Sequence, residues 1–83
     1  MKKIKKKDLD ELIREEKAYW KDGQGERLGR ILELSKRLSK QCGVDWLYIS
    51  HLAECVYGSL GFAPEKPDEA LVAALRVLGV EVV

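Results

Sequence analysis

The sequence predicts an all-α fold: a compact four-helix domain with a helix-turn-helix-like central pair and a short C-terminal extended tail. Three observations predict it. Four segments repeat apolar residues at helical spacing, and glycine, aspartate or proline signals separate them. Outside them, only the closing VEVV alternates in the manner of a strand. Eighty-three residues hold one core, and a chain of this size buries about 60–65% of its unfolded surface, so most amphipathic faces must be used.

Hydrophobic residues at 46% and charged residues at 35% describe a folded globular chain rather than a disordered one. A formal charge of +1 exerts no global pull toward nucleic acid or anionic membrane. The distribution is uneven, however. Lys2, Lys3, Lys5, Lys6 and Lys7 make five of the first seven residues lysine and leave the rest net acidic. We expect residues 1–7 to form a lysine-rich flexible arm ahead of a single helical domain over 8–83. No apolar segment follows the arm as a signal peptide requires, and no run approaches the ~18 apolar residues of a membrane span. Two cysteines in a Lys/Glu-rich chain with no secretion signal predict a reducing, cytoplasmic setting.

The first helix is predicted over 8–21, with Leu9, Leu12, Ile13 and Trp20 on one face. Asp8, Asp10 and Glu11 occupy its first turn, where the helix dipole favours negative charge. Glu16 falls inside the apolar stripe and is expected where that stripe meets solvent, or else paired with a base from another helix. DGQG at 22–25 ends the helix. Its glycines lack the preceding strand and the following Lys-Ser/Thr of a phosphate loop.

The second helix, 26–42, places Leu28, Ile31, Leu32, Ser35, Leu38 and Cys42 on one side and Arg30, Glu33, Lys36, Arg37 and Lys40 on the other. Glu26/Arg30 and Glu33/Arg37 stand in the favourable acid-before-base order, so this basic face partly neutralises itself in solvent. Gly43 can stop the helix in a left-handed conformation, and Asp45 offers an N-cap for a third helix over 46–60. The third helix has a wide apolar arc centred on Ile49, Leu52, Ala53, Val56 and Leu60, which predicts a central place in the fold. The turn GFAPEKP brings Pro67 to the first position of a fourth helix over 67–78, with Leu71, Ala74, Leu75 and Leu78 as its core stripe. Val72, Ala73 and Val77 lie off that stripe.

Convergent catalytic groups are scarce. His51 is the single histidine, and Cys55 four residues on is its one nucleophilic neighbour, with nothing identifiable to orient the imidazole. Cys42, His51, Cys55 and Asp45 do not follow a common zinc spacing, and a cysteine on an apolar helix is usually a small core residue. No enzyme activity, metal or cofactor is expected.

The segment 35-SKRLSKQCGVDWLYISHLAE-54 resembles the helix-turn-helix of small bacterial and phage regulators. Leu38, Ser39, Gly43, Val44, Ile49 and Leu52 stand where that motif has apolar, small, turn-glycine and three apolar residues. The resemblance implies DNA contacts from Asp45, Trp46, Leu47, Tyr48, Ser50 and His51. Direct readout matches donors and acceptors on base edges, and affinity rests on Lys and Arg at phosphates. From Gln41 to Glu65 there is neither Lys nor Arg.

The function expected from these residues is therefore a non-enzymatic binding module working through protein–protein contacts, as an adaptor, inhibitor or regulatory subunit, and self-associating as a homodimer through the fourth helix and the tail. Its expected contact residues are Trp46, Leu47, Tyr48, His51, Val72 and Val77, and the protein partner's identity is not encoded. The alternative is a helix-turn-helix DNA-binding regulator that contacts phosphates, weakly, through the lysine arm and helix 26–42, using Lys2, Lys3, Lys5, Lys6, Lys7, Arg30, Lys36, Arg37 and Lys40. No membrane role is expected.

Overall fold

A computed structural model describes residues 2–58 and 65–83. In chain order these form β1 (Lys2–Ile4), α1 (Lys6–Asp22), α2 (Glu26–Cys42), α3 (Trp46–Tyr57), α4 (Pro67–Val77) and β2 (Val80–Val82). The four expected helices are present, and the domain is compact and helical. Leu60 and the turn residues 61–64 lie outside the described residues.

The N-terminal lysines do not form the free arm expected of them. Residues 2–4 make a strand that pairs in parallel with the C-terminal tail, Lys2 opposite Val80 and Ile4 opposite Val82. Ile4 and Val80 turn inward and are almost completely buried. The Lys6 amide donates to the Val83 carbonyl at 2.7 Å, and the Val83 amide to the Ile4 carbonyl at 2.9 Å, which extends the pairing into the start of α1. Parallel neighbours need a long crossover, and here the crossover is the entire helical domain.

The middle element is α2, which packs on α1, α3 and β1. Its buried residues are Ile31, Leu34, Ser35, Leu38 and Cys42. The Ser35 hydroxyl donates to the Ile31 carbonyl at 2.8 Å, so its burial leaves no polar group unpaired. The helix is rotated from the expected face: Leu34 is fully buried, while Leu28 and Leu32 are 44% and 39% exposed.

The cause lies on α1, whose acidic residues face α2. Arg27 meets Glu15 at 3.2 Å and Arg30 meets Glu11 at 2.9 Å. Arg37 reaches Asp8 at 3.6 Å. Lys36 and Lys40 stay exposed and Arg30 also pairs with Glu33, as on a solvated face, while Arg27, Arg30 and Arg37 line a seam against α1. Asp8 is buried beneath it, and the Gln41 amide that donates to its carboxylate, aided by Arg37, holds its pKa below the usual aspartate range.

Gly43 ends α2 at φ 76°, where residues with a Cβ are strained, and the Asp45 carboxylate accepts the Leu47 amide at 2.9 Å to open α3. Although α3 contacts each of the other helices, it is less central than its apolar arc suggests. Ile49 and Ala53 are buried, whereas Leu52, Val56 and Tyr57 are half-buried. On α4, Leu71 and Leu75 supply the core stripe. A shared carboxylate ties three helices together: Asp68 accepts the Tyr57 hydroxyl at 2.6 Å and Lys17 at 3.1 Å.

Candidate interaction surface

The six expected contact residues fall in three places. Leu47 and Tyr48 are 60% and 50% exposed, and His51 beside them is exposed, all on the outer side of α3. Trp46 is half-buried instead, with the Lys36 ammonium 5.0 Å from its ring centroid in a cation–π contact. Val72 lines a groove of about 450 Å³ between α1 and α4, bounded by Leu9, Ile13, Ala73 and Val82. Val77 is not part of that groove and stands in solvent at 87% exposure.

The nine basic residues of the alternative are also divided. Arg30 and Arg37 are engaged with carboxylates, Arg30 with Glu33 as well as Glu11. Lys6 pairs with Asp10 at 3.4 Å, and Lys36 lies over Trp46. Lys2, Lys3, Lys5, Lys7 and Lys40 are exposed. The Lys5 amide donates to Gln41 Oε1 at 2.8 Å, which anchors the lysine run at the end of α2 that carries Lys40.

A further part of the surface is not what the sequence led us to expect. Trp20, Leu28 and Leu32 are exposed and line a cleft of about 320 Å³ between α1, α2 and α3, together with Glu16, Tyr19, Ile31, Ser50 and Glu54. Leu32 and Lys36 are one turn apart, as are Leu47, Ser50 and Glu54 in succession, so the cleft runs toward the Trp46–Leu47 end of α3. The local pattern contains a signal for it: Leu28 and Leu32 share a face with each other but not with Leu34. Which face turns inward depended on α1.

Glu16 belongs to this cleft and is only 3% exposed. It neither meets solvent at the stripe's edge nor pairs with a base. Its Oε2 accepts the Trp20 indole N–H at 2.8 Å. Burial raises its pKa above the ordinary value, with the nearby Glu54 charge adding to that rise and the Trp20 hydrogen bond opposing it. Gly58 approaches Trp20 closely enough that an added Cβ would lie 2.6 Å from the indole ring.

Chemistry elsewhere is sparse. Cys55 Sγ lies 3.6 Å from His51 Nε2 on the exposed side of α3, and Cys42 is buried. Among the described residues no three His, Cys, Asp or Glu side chains converge as metal ligands would, and no helix is long and apolar enough to cross a membrane.

With family models, curated proteins and solved structures all compared, the chain matches none.

Proposed function

We propose that the protein is a non-enzymatic helical binding module that works through protein–protein contacts and self-associates. The observation that carries this reading is the outer face of α3, where Leu47 and Tyr48 stand largely in solvent on a helix without a single cation. Exposed leucine and aromatic side chains gain free energy when a partner covers them. The exposed Trp20, Leu28 and Leu32 of the neighbouring cleft enlarge the apolar area available. The helix-turn-helix resemblance of α2 and α3 fits a scaffold for this surface; for DNA, Asp45 at the cap of α3 and Glu54 on it would repel phosphates.

Sedimentation equilibrium from micromolar to millimolar concentration tests the proposal. The wild type should exceed the monomer mass, and Leu47→Ser with Tyr48→Ser should return it to monomer with helical circular dichroism unchanged. A wild type that stays monomeric throughout removes self-association from the reading.

A second reading is favoured by one observation, the anchoring of the lysine run beside Lys40 through Lys5 and Gln41. It makes the β1 end of the domain a phosphate-contacting surface. Binding of duplex DNA there would weaken steeply with salt, by about one counterion-release increment for each lysine that contacts a phosphate. Lys3→Gln with Lys40→Gln should reduce the slope of affinity against salt, whereas Tyr48→Ala should not.

A further inference from the structure

We propose that the cleft between α1, α2 and α3 is a cation site that takes the guanidinium or ammonium group of an arginine or lysine side chain presented by a bound protein. The cleft combines a carboxylate at its base, a second carboxylate at its rim, an aromatic wall and an aliphatic approach. Those are the features that such a side chain complements. Glu16 spends one oxygen on the Trp20 indole and makes no other hydrogen bond among the described residues. Among the described residues no buried side-chain oxygen or nitrogen lacks a partner, and Glu16 lines the cleft while remaining 3% exposed. Glu54 lines the same cleft, and neither acid forms an ion pair among the described residues.

A buried carboxylate held near another carboxylate and away from any cation is costly in the free protein. A cation entering the cleft relieves that cost, through a charge-assisted hydrogen bond to Glu16 and attraction to Glu54. Trp20 and Tyr19 are seated edge to face with centroids 5.0 Å apart. Trp20 is held by Glu16 and closely approached by Gly58, so its ring is positioned before any ligand arrives. Leu28 and Leu32 offer apolar wall to the methylene stem that both basic side chains carry. The two acids without an ion pair among the described residues and the exposed leucines thus have one explanation in common.

The inference rests on reading this face as a protein-binding surface, but its test uses a small cation and is independent of self-association. The full chain, labelled with nitrogen-15, is titrated with n-butylguanidinium while the Trp20 indole N–H is followed by NMR. The neutral 1-butanol and the anion butyrate are titrated in parallel. The cation should shift that resonance saturably, with at least about tenfold tighter binding than 1-butanol, a difference of about 1.4 kcal/mol. Butyrate should not bind. Glu16→Gln should lose most of the affinity, and the exposed Glu54→Gln, which leaves the core untouched, should weaken it several-fold. Equal response to 1-butanol, or unchanged cation affinity in both variants, overturns the cation site. A monomeric protein that nonetheless binds n-butylguanidinium in this way keeps the site and loses only self-association.

Discussion

Glu16 shows how one side chain departs from the pattern around it. Its position on α1 falls within an apolar stripe, and the structure leaves it there, desolvated and bonded to Trp20. Because burial raises its pKa in the folded state above the ordinary 4.5, the folded protein holds that proton more tightly than the unfolded chain. The resulting stability is present below pH 4.5 and is lost as pH rises through the folded value. Glu16→Gln keeps an acceptor for the indole and removes the charge, so it should raise the urea midpoint at pH 7. That advantage should shrink as pH falls through the raised folded pKa toward 4.5 and be gone below it. Asp8, Asp22 and Asp68, whose pKa values are lowered by hydrogen bonds to Gln41, Gln24 and Tyr57 respectively, act in the opposite direction. Their stability is lost as pH falls, and being common to both proteins it cancels in the comparison. A constant difference from pH 4 to pH 8 would show that Glu16 is not desolvated.

At the scale of elements, the helices were legible because each is closed by local chemistry: Gly43 after α2, the Asp45 cap before α3, Pro67 at the start of α4. The orientation of α2 was not. Periodicity allows either Leu28 and Leu32 or Leu34 to join Ile31 and Leu38 at the core. The carboxylates of Glu11 and Glu15 on α1 select the second by drawing Arg30 and Arg27 toward them. Leu34→Ala should therefore cost about 2–5 kcal/mol in denaturant melts, as expected for a buried leucine. Leu28→Ala should cost less than about 1 kcal/mol. Similar losses at the two positions would return α2 to the orientation that the sequence suggests. The candidate surface was legible only in part: Leu47, Tyr48 and His51 are exposed as expected, while Trp46 is half covered by Lys36 and the cleft beside them came from α2's rotation.

For the whole molecule, the two chain ends matter most. Ile4 lies at 1% exposure against a tail that begins more than seventy residues later. Ile4→Ala should cost about 2–5 kcal/mol, where substitution in a free arm would leave the urea midpoint unchanged. The fourth helix gives the complementary result. Val77 is 87% exposed, so α4 is not enclosed on all sides. Val77→Glu should leave the chain folded and its stability within about 0.5 kcal/mol. If dimerisation runs through α4 and the tail, the same substitution should lower the sedimentation mass. If it runs through α3, the mass should not change, and the Leu47 and Tyr48 variants become the decisive ones.

By itself the sequence determined the number of helices, their order and the signals at Gly43, Asp45 and Pro67, and it determined that α3 carries no cation. These are properties of residues three or four apart, and such neighbours meet in any helix that forms. Tertiary structure alone decided that residues 2–4 are a strand, that Leu34 rather than Leu28 is core, and that Glu16 is buried against Trp20 at the cleft beside Gly58. Each depends on contacts with a distant element: β2 for the strand, α1 for the rotation of α2, the end of α3 for the cleft. Forming them requires the intervening chain to be closed first, so no local pattern encodes them.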